Sequence, residues 1–454
     1  MAACAVAALV LVATAAFAQG GAQSAAPVLT VPGALTLRDA VQRGLRYNLG
    51  SVNVAQLVKQ ARGQRTIARS ALLPTVMGDL TTTLQEINLA AMGLSFGSTI
   101  PNVTLPTVVG PFNFTDLRAR LSQTLFDRTS WQTYQAAAES ARATELSAED
   151  ARDLVVLAVG GSYLQVIAAQ ARVESTRGQL DTANALYQQS VELRGAGLVA
   201  QLDVDRSQIQ VLTQQQRLAS LKNDFAKQKI NLVRMIGLRP TDQYELADRL
   251  PFVAAPQLAL DQALRQAGEA RADVKAAGAQ VRAAERALSA AHAERLPSVS
   301  LRADYGAIGT SLTDAHGTFS VVGAVRVPLW QGGRTEGRVE QAESVVALRR
   351  AELEDLTSQV ESDVRKALLD LEAATTLVEV AQKNVEVTKE ALALSRQRFE
   401  AGISDNVEVV LAQGSVTAAE FDYINGVFAH NVSKLNLARA IGQAEERLDE
   451  FLKP

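Results

Sequence analysis

Hydrophobic residues recur every seven positions along two very long stretches of the chain, neither of which contains proline. In the stretch 333–399 these positions are Val364, Leu371, Val378, Val385, Leu392 and Phe399, and in the stretch 128–194 they are Val159, Val166, Val173, Leu180 and Tyr187. A seven-residue period is typical of helices that supercoil around one another. A helix of about 67 residues is roughly 100 Å long. The pattern therefore predicts two helices that are much longer than a globular core is wide. Alanine-rich flanking positions favour packing on several neighbours over a free two-stranded coiled coil.

Four shorter segments alternate apolar and polar residues, and we predict that they are β-strands: Val76–Leu84, Leu117–Leu125, Val299–Ala307 and Phe319–Leu329. Alternation places one residue type on each face of a strand. The charged residues of the polar faces are Asp79, Arg118, Arg120, Arg302, Asp304 and Arg326. This pattern is typical of a transmembrane β-barrel with a water-filled lumen, although two amphipathic hairpins in a soluble sheet also fit it.

The chain resembles itself along its length, in the same order of segments. Four pairs of segments match: Leu35–Ala40 with Leu258–Ala263, Leu73–Val76 with Leu296–Val299, Ala196–Leu198 with Ala401–Ile403, and Asn231–Gly237 with Asn436–Gly442. An internal repeat of this kind indicates a duplicated architecture. The first half carries an insertion, which we place in the Gly- and Pro-rich segment Glu86–Pro111 and interpret as a long loop.

The matches divide the chain into two repeats of the same plan. The first repeat, 35–250, contains a helix, a β-hairpin at about 75–126, a long helix at about 128–194, a tip at about 195–200 and a helix at about 201–237. The second repeat, 251–454, contains a helix at about 259–295, a β-hairpin at about 298–330, a long helix at about 333–399, a tip at about 400–405 and a helix at about 406–442.

The first 18 residues predict a secretory signal peptide. The apolar run Ala5–Ala16 is too short to span a bilayer, and it ends in the small-x-small pattern Ala16-Phe17-Ala18. No Lys or Arg precedes the run, so the true start could lie upstream, and a buried N-terminal helix is the alternative. The segment 19–34 is predicted to be flexible. No run of about eighteen consecutive apolar residues follows, so we predict no transmembrane helix.

Composition and charge limit the kinds of function that this chain can have. A net charge of −3 gives no basic field for nucleic acid. The one cysteine, Cys4, lies in the predicted signal peptide, and the three histidines are scattered. We find no Gly-rich phosphate loop, nucleophile elbow or metal-ligand cluster, and we therefore predict a protein that is not an enzyme and holds no cofactor or metal.

Four strands cannot close a barrel around a charged lumen. Because lipid leaves no partner for the hydrogen-bonding groups of an open sheet edge, several chains would have to share one barrel.

This plan resembles the TolC-type outer-membrane efflux proteins over nearly the whole mature chain. The most specific marks are the Leu-Pro before each first strand, the Gly-Leu or Gly-Ile breaks and the two Asn-Leu-x-Arg-x-Ile-Gly endings. The resemblance implies a mainly α fold and a homotrimer, with a twelve-stranded β-barrel in outer-membrane lipid and a periplasmic α-helical barrel below it. It also implies an exit duct for efflux or type I secretion, fed by an inner-membrane transporter through a periplasmic adaptor of the membrane fusion type. The alternatives are a periplasmic structural coiled-coil protein and an adaptor, although an adaptor would need flanking lipoyl-like segments.

The resemblance also implies roles for individual residues. Adaptor docking falls on the tip residues Gly197, Leu198, Gly402 and Ile403, which could equally be ordinary turns in which glycine supplies a positive φ. The periplasmic entrance falls on Asp203 and Glu408, whose carboxylates could instead simply favour a helix start. Two positions depart from the family pattern: Ser404 stands where some members have a gate arginine, and Leu411 where an acid is expected. Phe126 and Trp330 are candidates for interfacial aromatic belts, although core packing explains them as well.

Overall fold

The computed structural model describes residues 34–93, 106–240, 244–249, 252–254, 258–311 and 313–447. The predicted signal peptide 1–18 and nearly all of the segment 19–34 lie outside these residues.

The described residues of the first half form four helices and three strands. They are β1 (Ala34–Leu35), α1 (Leu37–Tyr47), α2 (Leu49–Ser70), β2 (Thr75–Asn88), β3 (Val108–Phe126), α3 (Arg128–Gly195) and α4 (Gln201–Met235), with a short 3-10 turn at Ala90–Met92 after β2. The strands extend into the segment that we interpreted as loop, since Ile87 pairs with Val109 and Asn88 with Val108. The connection is therefore shorter than Glu86–Pro111.

The second half repeats this order with helices of nearly the same lengths. Its elements are β4 (Glu245–Leu246), α5 (Leu260–Ala270), α6 (Ala272–Ala293), β5 (Ser298–Gly309), β6 (His316–Arg326), α7 (Arg334–Glu400) and α8 (Asn406–Ala440). The long helices have 68 and 67 residues, and the helices that follow them have 35 each. The hairpin was predicted to end at about residue 330, but strand β6 ends at Arg326. Pro328 follows shortly after, and it has no N–H to donate to a β-ladder.

The first helix of each half is broken into two, where the sequence pattern predicted one. The break in the first half is at Asn48, whose extended backbone ends α1 and whose side-chain oxygen accepts a hydrogen bond from the Gly50 N–H at 2.9 Å. The break in the second half is at Arg271. Asparagine is a favoured N-cap because its side chain satisfies an unpaired N–H of the new helix.

These two corners explain the repeated Asn-Leu-x-Arg-x-Ile-Gly endings. Gly237 and Gly442 follow α4 and α8 with φ of 70° and 74°. A Cβ on Gly237 would lie 2.4 Å from the Tyr47 Cβ, and a Cβ on Gly442 would lie 2.7 Å from the Arg271 backbone nitrogen. Each motif therefore ends in a glycine because the chain turns left-handed there and packs directly on the corner of its own half.

Four strands form one antiparallel sheet in the order β2–β3–β5–β6. The β3–β5 pairing, from Thr115↔Gly309 to Phe126↔Val299, joins the two hairpins. Strands β1 and β4 form a separate two-stranded parallel pair. Within the described residues, β2 and β6 are therefore the open edges of the four-stranded sheet.

The helices pack side by side in two tiers. Near the sheet the order of contacts is α2–α3–α6–α7, and beyond the corners it is α4–α3–α8–α7. The predicted stripe of α7 is buried where it faces its neighbours, with Val364, Leu371, Val378 and Phe399 each at most 6% exposed. The helices thus pack on several neighbours, as the alanine-rich flanks indicated.

The main core lies where α1, α3, α4, α5, α7 and α8 meet. Helix α3 is long and apolar enough to cross a membrane by length and composition alone, which differs from the prediction of no such helix. Its most apolar part nevertheless contributes Val156, Val159, Tyr163 and Val166 to this core, all 0% exposed. Burial within the chain accounts for its apolar character.

Candidate functional site: helix tips and the two faces of the sheet

Both long helices end in the same left-handed turn. Gly197 and Gly402 have φ of 75° and 69°. The next residue donates its N–H to a carbonyl in the last helical turn, Leu198 to Leu193 and Ile403 to Arg398, each at 2.9 Å. This is the Schellman pattern, in which glycine adopts the left-handed conformation that ends a helix. Both glycines therefore form the ordinary helix-ending turns that the alternative interpretation described.

The two tips also expose the same kind of side chain. Leu198 and Ile403 are each 71% exposed. Apart from the adjoining residues of the chain, no atom in the described part of the structure lies within 4 Å of a Cβ built on Gly197 or Gly402. Two large apolar side chains that stand out from the ends of a helix layer are suited to contact with another protein.

The predicted entrance residues lie in the first turns of α4 and α8. The Asp203 carboxylate forms an ion pair with Arg206 at 3.4 Å, and Glu408 forms one with Arg398 at 3.7 Å. Leu411 is two-thirds exposed one turn further along α8. The Ser404 backbone N–H donates to the Arg398 carbonyl at 3.4 Å, while its hydroxyl is buried and has no hydrogen-bond partner among the described residues.

Asn406, which we did not single out from the sequence, joins the two tips. It is fully buried, and its side-chain N–H donates to the Asp203 carbonyl at 2.9 Å. The starts of α4 and α8 are thereby fixed to each other. The signal in the sequence was an asparagine at a helix start, but a partner more than 200 residues away is not readable from spacing.

The strand register places all six predicted lumen residues on one face of the sheet. Asp79 pairs with Arg118, Arg120 with Asp304, Arg302 with Ser122, and Arg326 with Ser298. Directly paired residues point to the same side of a sheet. Asp116 also lies on this face, because it is two residues before Arg118.

The middle of this polar face holds two arginines and three aspartates in ion pairs, which leaves one net negative charge per chain. Arg118 binds both Asp304 and Asp116, the latter at 3.2 Å, and Arg120 binds Asp79 at 3.2 Å. Within the described residues, Arg302 and Arg326 form no ion pair with this chain.

The opposite face of the sheet is apolar and uncovered. The large side chains of this face that are between 64% and 78% exposed are Val76, Leu80, Leu84, Tyr305, Phe319, Val321 and Val325. An exposed apolar sheet face of this extent is typical of contact with lipid.

Aromatic side chains gather where strands give way to helices. Trp330 is 88% exposed and Phe126, the last residue of β3, is 52% exposed. Trp131, 45% exposed, packs against Tyr134 in a tilted arrangement with ring centroids 6.0 Å apart. We missed this second pair, although aromatics three residues apart at a helix start lie on one helix face. The exposure of Phe126 and Trp330 argues against core packing.

A partly buried charged cluster ties the two halves together beside the second corner. Arg439 of α8 forms an ion pair with Asp150 of α3, and Arg271 binds Asp273 at 2.5 Å and Asp363 of α7 at 3.5 Å. Burial raises the pKa of Asp150, against the opposing effect of Arg439. Burial also acts on Asp273, but its hydrogen bond and charge interaction with Arg271 hold its pKa below the usual range.

Comparison with known proteins gives the class that these features define. The family described as outer membrane efflux protein matches this chain over residues 52–238 and again over residues 260–443. The chain is 26% identical over 421 residues to outer membrane protein TolC of Vibrio cholerae, covering 88% of this chain and 90% of the relative. It is also 26% identical over 328 residues to outer membrane protein OprJ of Pseudomonas aeruginosa, covering 70% and 67%.

The fold agrees with that class. The crystal structure of the outer membrane protein VceC from Vibrio cholerae superposes with a TM-score of 0.74 at 18% identity, covering 89% of this chain and 96% of that one. The chain belongs to the outer membrane efflux protein family. It is accordingly an efflux channel of the outer membrane, which confirms the predicted class and location.

Proposed function

We propose that three copies of this chain close into one duct, with a twelve-stranded barrel in outer-membrane lipid and a helical barrel in the periplasm. The supporting observation is that, among the described residues, the same two edges stay open both in the sheet and in the two tiers of helices. One edge consists of β2, α2 and α4, and the other of β6 and α7. Joining unlike edges head to tail gives a closed ring when the rotation between copies closes, and closure satisfies the strand edges that lipid would leave unpaired.

Apolar stripes on the two edge helices support this assembly. Helix α7 exposes Leu377, Val380, Val387 and Leu394, and α4 exposes Leu202, Ile209, Leu212 and Ile230, all between 50% and 63% exposed. Val380, Val387 and Leu394 are seven residues apart, as are Leu202 and Ile209. Such stripes are suited to a coiled-coil seam between neighbouring copies.

The matched helix lengths and the second match to the same family support a duplicated chain. Duplication gives each protomer two similar tips, and hence a trimer six. We propose that the tips, through Leu198 and Ile403, receive a periplasmic adaptor that connects the duct to an inner-membrane transporter. The duct passes substrates outward in an efflux or type I secretion system. The uncovered apolar sheet face argues against a periplasmic structural coiled coil.

The assembly is tested by purifying the chain from membranes in detergent and measuring its mass by light scattering with the detergent contribution subtracted. We expect three times the mass of the mature chain, with protein extracted only when detergent is present. A monomer that stays in solution without detergent would refute the duct.

The adaptor role predicts that Leu198→Asp with Ile403→Asp abolishes export, because a carboxylate at each tip must lose its water when a partner packs on it. The trimer should still form, since both side chains lie outside the packed layer. The conservative pair Leu198→Ile and Ile403→Val is the control and should export normally. Unimpaired export by the aspartate variant, measured as resistance to a toxic substrate, would remove the tips from docking.

The entrance role predicts opposite effects for the two partners of one ion pair. In a trimer Glu408 forms a ring of three carboxylates, and Arg398, more than half exposed, screens it only weakly. Glu408→Gln should weaken block of the single-channel current by polyvalent cations, and Arg398→Gln should strengthen it. Equal block in both variants and in the unmodified chain would place Glu408 away from the conducting path.

A further inference from the structure

We propose that the barrel lumen favours anionic solutes through a collar of unpaired arginines, Arg302 and Arg326, at its periplasmic end. The inference rests on the proposed trimeric barrel and adds a substrate class to it. Organic carboxylates, sulfonates and phosphate esters are the chemical class that such a collar favours.

Both arginines lie at the end of the strands that is next to the helices, which supports the collar. Ser298, which pairs with Arg326, begins β5 directly after the helical part of the chain, and Arg302 lies four residues further along the same face. At about 3.3 Å per residue the two levels are roughly 13 Å apart. A solute that leaves the helical barrel therefore meets Arg326 first and Arg302 second.

The aspartates of the polar face are already paired with other arginines, which also supports the collar. On the polar face, Asp79, Asp116 and Asp304 are all held by Arg118 or Arg120, at levels beyond the collar. Glu86 lies further away still, near the irregularity at the far end of β2. Both collar arginines are exposed, and neither forms an ion pair within the described residues. Three copies would thus carry six unpaired positive charges at the collar, against a net of three negative charges in the ion-paired middle of the face.

The radius of the lumen, compared with the Debye length, decides whether the electrostatic field of the collar acts on a passing solute. Twelve strands about 4.8 Å apart and tilted by about 40° place the backbone roughly 12 Å from the barrel axis. The Debye length is about 10 Å in 0.1 M salt and about 3 Å in 1 M salt. The collar therefore acts across the whole lumen at low salt and is screened at high salt.

The test is the reversal potential of the full trimer in a planar bilayer under a KCl gradient. We expect Arg302→Gln with Arg326→Gln to lower the chloride-to-potassium permeability ratio on the order of threefold near 0.1 M salt, and hardly at all near 1 M. Arg302→Glu with Arg326→Glu should lower it further. The matched control, Arg120→Gln with Asp79→Asn, removes an arginine together with its partner and should leave the ratio unchanged.

The outcomes separate the two proposals. Channels whose permeability ratio is the same with and without the collar would overturn the collar while leaving the duct intact. The collar is also overturned if the paired control shifts the ratio as much as the double arginine variant does. A trimer that forms no conducting pore at all would overturn the duct, and the collar with it.

Discussion

Gly442→Ala is expected to lower the free energy of unfolding by about 2–5 kcal/mol, which is a large fraction of the stability of most proteins. A left-handed backbone costs an L-residue roughly 1–2 kcal/mol. The new methyl group would also lie 2.7 Å from the Arg271 backbone nitrogen, and crowding of this kind costs about 1–3 kcal/mol more. Backbone atoms cannot rotate away, so the corner between α5 and α6 must move.

The tip glycine provides the matched control. Gly402 has φ of 69°, close to the 74° of Gly442, but no described residue other than its chain neighbours lies within 4 Å of its Cβ position. Gly402→Ala should therefore cost only the backbone part, roughly 1–2 kcal/mol. The measurement is the denaturant midpoint of helix loss in detergent, followed by circular dichroism. If the two variants lose the same stability, the close packing of Gly442 on the corner is not important.

Arg439→Met is expected to cost about 3 kcal/mol, because it leaves the half-buried Asp150 without its partner. Loss of Arg439 also removes the charge that opposes the rise in the pKa of Asp150. A carboxyl whose folded pKa lies above its unfolded value loses stability as pH rises through that interval. The difference between the variant and the unmodified chain should thus be largest near pH 7 and shrink below the usual aspartate pKa of about 4.

Asp150→Asn provides the second arm of this test. In the Asp150→Asn background, Arg439→Met should cost much less than in the unmodified chain, since no buried carboxylate is left without a partner. Additive losses in the two backgrounds, or a cost that does not depend on pH, would show that Arg439 acts through packing alone.

Periodicity was sufficient to predict the long elements. The seven-residue stripe of Val364, Leu371 and Val378 predicted α7 because one face of a helix must be buried against its neighbours. Alternation likewise put Arg118 and Asp304 on one sheet face. These features depend on local spacing, which the sequence displays directly.

Contacts between distant parts of the chain could not be predicted in this way. The corners at Asn48 and Arg271 break helices whose residues otherwise continue the pattern, and the Gly442 contact depends on a corner some 170 residues away. Lys434 shows the same limit: it is 1% exposed, its amine donates to the Val253 carbonyl at 3.0 Å, and burial lowers its pKa to about 8. A lysine at this position of a helix would ordinarily be assigned to the surface.

The site residues likewise divide into those that local spacing predicts and those that depend on distant contacts. The tip turns were predictable because glycine at a helix end has one dominant use. The pairing of Glu408 with Arg398, and the bond from Asn406 to the backbone of Asp203, depend on how two helices meet. The ion-paired middle and the unpaired arginines at the end of the lumen face likewise emerge only once the register pairs Asp79 with Arg118.

The central claim, a trimeric duct through the outer membrane, is tested most directly by the conductance of the purified full chain in planar lipid bilayers. We expect discrete current steps of one size, carried by a species whose mass is that of three chains. No steps from a correctly folded preparation, or steps that persist when the chain is held as a monomer, would contradict the account.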